Sequence, residues 1–579
     1  MKTMRAAMVL LVTAMSIPAA PAVRGIADDG VPSKDGMVVC TSAPGCDAGA
    51  SVLAKGGNAV DGAVATAFAL AVTLPSAGNI GGGGFMVVRS ANGTVTTFDY
   101  REKAPLKATR AMYIRDGKVD GALTNAGYLA PGVPGTVRGL ALAHKRFGRL
   151  PWKDVVMPAV QLAEDGFVVS DALARGLNAQ LAGAMGRFPA SVEAYGKTGG
   201  GSWAGGDRIV LKDLGRTLRA IATEGPDAFY KGWIADRIAD DLGANGGIIT
   251  REDLAAYAAK ERAPVKGTFR GFDIASMPPP SSGGVALIEM LNMLENFDLK
   301  AKGFNSAEAK HFEIEAMRRA YLDRARYLGD PDFVQVPLSK LLSKDYARTL
   351  AGTIDPAKAT SSLELGKDII TTAGAPEPDE TTHFSVIDRN GMAVSNTYTL
   401  EGGYGSRVVV KGAGFILNNE MGDFNKNPGV TLADGTIGTP ANLIEPGKRM
   451  LSSMTPTIVS KNGKVVLITG SPGGRTIINT VFTIVLAATE FGMNARAAVE
   501  APRMHHQWLP DTVSVERGAS DDLVVKLRAM GHAVTPAATQ GDANSIGVDP
   551  GGTAWGANDR RSADGKTSVA RLTSTAAKQ

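Results

Sequence analysis

The sequence predicts an α+β fold in which strands pair within layers and helices cover them. Two observations carry this. Alternating apolar runs in both halves of the chain read as strands. Long apolar or Ala-rich runs beside them read as buried helices. No repeat of roughly 20–50 residues points to a solenoid. A chain of 579 residues exceeds one ordinary domain. At 44 % hydrophobic and 21 % charged it is globular rather than disordered.

The elements follow in order. Residues 1–22 read as a secretory signal peptide. Lys2 and Arg5 precede an apolar run from Ala6 to Ala19, and Ala20-Pro21-Ala22 fits a small-x-small cleavage site. The run falls short of the roughly 20 residues of a membrane span. Residues 48–72 read as a buried Ala-rich helix interrupted at Gly56-Gly57. A Gly-rich turn and two strands follow, with "SANG" as their hairpin. Residues 134–260 read as mainly helical, and Thr250 with Asp253 as a helix cap. "MPPPSSGG" leads into the helix "VALIEMLNMLENF", and a long helix covers 306–327.

Residues 359–380 break the pattern. They are polar, Pro-bearing and poor in large apolar residues, so they read as a flexible connection. From Thr382 the chain turns to strands: "HFSVIDRN", "MAVSNTYTL", "SRVVV" and "KVVLITG". "TIINTVFTIVLAATEFG" is then a buried helix.

Composition excludes several classes. The net charge is +5, and Lys and Arg are scattered among Asp and Glu. No basic stripe interleaves with aromatics, so no nucleic-acid partner is expected. The two cysteines, Cys40 and Cys46, either bridge a short loop after export or stay separate buried thiols. Six histidines are spread along the chain without HExxH or a Cys/His cluster, so no metal site is expected. Two "GKT" stretches, at 196–198 and 565–567, lack the glycine of a phosphate loop; Ser191 and Arg560 stand there. GxSxG is absent.

Three candidate pieces of chemistry remain. The first is "PEPDETTHFSVID", where an exposed linker runs into a core strand with no turn residue between. A threonine hydroxyl needs a nearby base, and an N-terminal threonine carries one in its own α-amino group. A chain destined to break at Glu380–Thr381 needs no turn there. The second piece is "TGSPGGR", a strand ending in a glycine pair before a helix. Backbone N–H groups at such a turn can converge on an anion, as an oxyanion hole requires. The third is a set of groups suited to an amino acid: Arg101, Glu420, Asp423, Ser452 and Ser453.

With "KGGNAVDGAVA", "AGNIGGGGFM", "REKAP", "MPPPSSGG", "YLGDPDFV", "TTHFSVID", "TYTLEGGYG", "LNNEMGDF", "LSSMTPTIV", "TGSPGGRTI" and "APRMHHQWLP", the mature chain resembles the γ-glutamyltransferases, or glutathione hydrolases. These are N-terminal-nucleophile hydrolases. The resemblance implies a four-layer αββα sandwich and a precursor that cuts itself at Glu380–Thr381. A large subunit (23–380) and a small one (381–579) then stay together as a heterodimer. It implies Thr381 as nucleophile, oriented by Thr399, with Gly473 and Gly474 as the oxyanion hole. It implies that Arg101, Ser452 and Ser453 hold the substrate α-carboxylate, and that Glu420 and Asp423 hold its α-amino group. Substrates are glutathione and other γ-glutamyl compounds, acceptors are water, amino acids or dipeptides, and no cofactor is needed. The location implied is periplasmic or secreted. Two departures stand out. Glu401 replaces an Asn common after "TYTL", and is kept as a further contact for the α-amino group. The segment 424–450 matches an active-site lid, but Asp434 stands near the position of an aromatic residue in some members. The rival readings are a cephalosporin (glutaryl) acylase on the same scaffold and a catalytically silent exported binding protein.

Overall fold

The structure is a computed structural model that describes residues 30–372, 381–432 and 437–571. Residues 1–22, read as a signal peptide, Glu380 and Asp434 lie outside the described residues.

Two seven-stranded antiparallel sheets stack face to face. The first runs Lys566–Val569, Gly36–Cys40, β1 (Thr382–Asp388), β2 (Ala393–Thr399), Gly83–Arg89, Val95–Asp99, Lys260–Arg262. The second runs Val31–Ser33, Ala554–Ala557, Ser545–Val548, β3 (Lys464–Thr469), Thr457–Lys461, Phe272–Ser276, Val265–Phe269. Alternation along the strands makes both faces useful. In β1, Phe384 and Val386 join a core under helices, while Ile387 joins Met37, Val39, Ile458 and Ile468 between the sheets.

Helices α1 (Ala43–Ala54) and α2 (Ala59–Thr73) cover the first sheet. The expected interruption is real: Gly56 adopts φ 94°, and Asn58 then caps α2 reciprocally with Asp61. Helices α3 (Gly283–Leu294), α4 (Ala307–Tyr327) and α5 (Thr476–Thr489) form the opposite layer. The layers are therefore helix, sheet, sheet, helix. Thr250 caps its helix with Asp253 as the sequence predicts. No helix of the described residues is long and apolar enough to cross a membrane.

Some expectations are revised. The run "SRVVV" makes only an isolated bridge, Val409 to Ile416, because positive φ at Tyr404 and Arg407 coils the chain there. The connection 359–380 begins anchored: Ser362–Leu365 is a helical turn, Trp508 Nε1 donates to the Ser362 carbonyl at 2.8 Å, and Thr371–Thr372 pairs with Thr431–Leu432. Of the two options for the cysteines, Cys40 and Cys46 form a disulfide. The scattered histidines hid one cluster, His311, Glu315 and His532. Its carboxylate is engaged by Arg318 and Arg319.

Candidate active site

The site lies where β1 begins and β2 ends. Thr381 immediately precedes β1 and is 8 % exposed. Its Oγ1 lies 3.2 Å from Thr399 Oγ1, the last residue of β2. The Thr399 hydroxyl accepts the Glu401 N–H at 2.8 Å, so its own hydrogen can be aimed at Thr381. Asn79 Nδ2 donates to the Thr399 carbonyl at 2.9 Å. A Cβ at Gly82 would run into that same carbonyl oxygen, which is why the turn "GGGG" closes so tightly here.

Gly473 and Gly474 form the turn between β3 and α5, with φ 124° and 51°. Side-chain-bearing residues rarely adopt these values. Their carbonyls accept the N–H groups of Thr476 and Ile477 at 2.9 and 3.2 Å, which starts the helix. Gly474 lines the pocket that holds Thr381, and Gly473 precedes it in the turn.

In the same pocket Arg101 is fully buried. Its Nη1 lies 2.7 Å from Glu420 Oε2, and its Nη2 pairs with Asp423 and donates to the Leu451 carbonyl at 3.2 Å. Glu420–Asp423 is a single 3-10 turn, so both carboxylates reach the same guanidinium. Burial alone would lower the Arg101 pKa, but Glu420, Asp423 and Glu102 together hold it above its ordinary value. Burial pushes Glu420 well above the usual carboxylate range, against the pull of Arg101. The sequence reading gave Arg101 to a substrate carboxylate and the two acids to an ammonium. Here they pair with one another.

Ser452 and Ser453 run alongside Ser281, with Ser282 N–H donating to the Ser452 carbonyl at 2.7 Å. The Ser452 hydroxyl accepts the Met454 N–H at 3.1 Å, and the Ser453 hydroxyl accepts Arg324 Nη2 at 3.2 Å. Glu401, at φ 79°, also lines the pocket, and its carboxylate accepts from Asn419 Nδ2. One pocket therefore collects Arg101, Thr381, Thr399, Glu401, Glu420, Asp423, Ser452, Ser453 and Gly474.

Sequence reasoning missed Glu102, Arg324 and Arg475. Arg324 and Arg475 line the pocket, and Glu102 is buried 3.6 Å from Arg101. A signal existed for Arg324. The helix α4 is rich in charge, and a helix of that composition has no reason to be buried unless its charges have partners.

One pocket thus offers charged groups of both signs, suited to a zwitterion, together with the Thr381–Thr399 hydroxyl pair. The sequence model of the gamma-glutamyltranspeptidase family matches residues 45–569. The chain belongs to the gamma-glutamyltranspeptidase family. Its members include the glutathione hydrolase proenzyme of Escherichia coli K12, 47 % identical over 555 residues and covering 95 % of each chain. Among solved structures, the gamma-glutamyltranspeptidase of Helicobacter pylori is 47 % identical with a TM-score of 0.54, over 55 % of this chain and 91 % of that one. The cephalosporin acylase of Bacillus halodurans is 26 % identical with a TM-score of 0.82, over 97 % and 100 %. The protein is thus an enzyme of the gamma-glutamyltranspeptidase family with an N-terminal-nucleophile hydrolase architecture.

Proposed function

We propose that the protein is an exported γ-glutamyltransferase and glutathione hydrolase that matures by cutting itself at Glu380–Thr381. The cut leaves residues 23–380 and 381–579 associated as a heterodimer. It also frees the α-amino group of Thr381, whose ordinary pKa of about 7.7–8.0 lets it act as a base near neutral pH.

Thr381 Oγ attacks the γ-carbonyl carbon of glutathione or another γ-glutamyl amide, and the α-amine takes its proton. Thr399 orients the hydroxyl. The N–H groups of Gly473 and Gly474 stabilise the oxyanion. The C–N bond breaks, the proton passes to the leaving nitrogen, and a γ-glutamyl ester remains on Thr381. Water, or the amino group of an amino acid or dipeptide, then displaces Thr381. The substrate ammonium takes Glu420 and Asp423, with Glu401 beside them. This releases Arg101 toward the α-carboxylate, where Ser452 and Ser453 add donors. The chemistry needs no metal or organic cofactor. The basic, apolar and small-residue pattern of residues 1–22 supports export to the periplasm or beyond.

The observation that carries this reading is that one pocket joins the Thr381–Thr399 pair to the Arg101–Glu420–Asp423 cluster. The acylase reading gives the two acids no ammonium to bind, and the silent-protein reading gives the threonine pair no task. The test is turnover of a γ-glutamyl anilide and of glutathione by the purified protein. Failure on both overturns the proposal.

A further inference from the structure

We propose that Arg324 is a positioning residue for the substrate α-carboxylate, acting through Ser453. The inference rests on the γ-glutamyl reading of the pocket.

Helix α4 carries Tyr321 and Arg324 one turn apart on the same face. Both reach across to the chain that follows residue 381. Tyr321 donates its hydroxyl to the Arg475 carbonyl, beside the glycine turn. Arg324 donates from Nη2 to Ser453 Oγ at 3.2 Å and from Nε to Ser282 Oγ at 2.9 Å. Ser282 Oγ in turn donates to the Ser452 carbonyl at 2.6 Å. One guanidinium therefore fixes the Ser452–Ser453 segment through two separate hydroxyls.

The direction of these bonds matters. A guanidinium has donors and no acceptor. The Ser453 oxygen must accept from Arg324, so the Ser453 hydrogen cannot point at Arg324. Ser453 lines the pocket, and its hydrogen is left for an acceptor there. Ser452 is set in the same sense by the Met454 N–H. Each hydroxyl accepts a bond in this way and keeps its hydrogen to donate, which suits a carboxylate.

Charge adds to direction. Arg101 stands among Glu420, Asp423 and Glu102, one cation to three acidic side chains. Arg324 is itself buried and brings a further positive charge to Ser453. Interactions of charge are stronger in such surroundings than in water. Lysine offers one point charge and cannot make the forked contact to two serines.

The experiment compares two anilides on the processed enzyme. The γ-glutamyl anilide carries the α-carboxylate. The 4-aminobutanoyl anilide lacks it and keeps the amine and the scissile amide. Arg324→Gln is expected to lower kcat/KM on the γ-glutamyl anilide by about tenfold or more through KM, and on the 4-aminobutanoyl anilide by less than about twofold. Arg324→Lys falls between. In a Ser453→Ala background the Arg324→Gln effect shrinks, because the two act as one unit. Equal losses on both anilides, or a loss confined to kcat, overturn the proposal. If Arg324→Gln does not self-cleave, the comparison moves to Arg324→Lys. An uncut Arg324→Lys chain also counts against it, since a general structural role then outweighs recognition. A wild-type protein inactive on the γ-glutamyl anilide overturns the functional reading itself, whereas an active wild type with indifferent Arg324 variants overturns this inference alone.

Discussion

Thr381 Oγ1 and Thr399 Oγ1 meet at 3.2 Å although 18 residues separate them. Register explains it. β1 and β2 are antiparallel, with Thr382 opposite Tyr398. One step further along that pairing brings Thr381 opposite Thr399 on the other face. The hairpin that builds the sheet thus builds the threonine pair. The Thr399→Ala change removes the hydroxyl 3.2 Å from Thr381 Oγ1. Thr399→Ala is expected to slow both self-cleavage and turnover by about a hundredfold. Thr399→Ser, which keeps the hydroxyl, stays within about tenfold of wild type. Rates from single-turnover assays and from the time course of cleavage check both. Equal behaviour of the two variants removes the hydroxyl from the argument.

Maturation is the second expectation. Purified protein gives two bands on a denaturing gel, and sequencing of the smaller begins at Thr381. Thr381→Ala stays a single uncut chain. A wild type that is fully active while intact rules out the free amine as base.

Parts of this site were readable before any fold was known. The alternation of Phe384 and Val386 against His383 and Ile387 announced a strand buried on both faces. Thr381, Thr399, the glycine pair and the acidic turn sat in strings that resembled a family. What the sequence withheld was pairing across distance. Arg101 and Glu420 are far apart in the chain, and nothing local says that they join at 2.7 Å. Glu102 follows Arg101 in "REKAP", and nothing local says that it is fully buried. Arg324 was hidden because every face of α4 carries charge, so periodicity could not single it out. The run "SRVVV" misled for the opposite reason, since β-branched residues favour strands but positive φ nearby prevents one.

Glu102 gives a pH prediction. Its carboxyl is buried, and burial pushes its pKa up to about 8, against the pull of Arg101. An unfolded glutamate titrates near about 4.3. Well below that value both states hold the proton, and the group leaves stability unchanged. Above it the unfolded chain loses the proton first, so the folded chain binds more protons and stability falls as pH rises, until about pH 8. Glu102→Gln cannot titrate and lacks this slope. The melting temperature of Glu102→Gln relative to wild type is therefore expected to improve steadily between about pH 5 and pH 8. Thermal unfolding at a series of pH values checks it. A difference that does not vary with pH means that Glu102 does not titrate in this range.

The last expectation separates the two acyl-transfer readings. In the resting pocket Arg101 holds Glu420 and Asp423 together. In the proposed γ-glutamyl reading, the substrate replaces that arrangement with two complementary ones: its ammonium faces the acids and its carboxylate faces Arg101 and the serines. A glutaryl substrate brings only the carboxylate. It draws on Arg101 while giving the acids nothing, so Glu420 and Asp423 lose their cation and each disfavours the other's ionised form. An unmet buried polar group discriminates far more strongly than a missing methylene. The γ-glutamyl anilide is therefore expected to exceed the glutaryl anilide by at least about a hundredfold in kcat/KM, the scale of roughly 3 kcal/mol of lost ion pairing. Asp423→Asn narrows that gap chiefly by harming the γ-glutamyl substrate, because the variant weakens the ammonium contact and relieves the repulsion that penalises the other. Steady-state kinetics on both anilides decide it: comparable rates in the wild type favour the acylase, and a gap that Asp423→Asn leaves untouched takes Asp423 out of ammonium recognition.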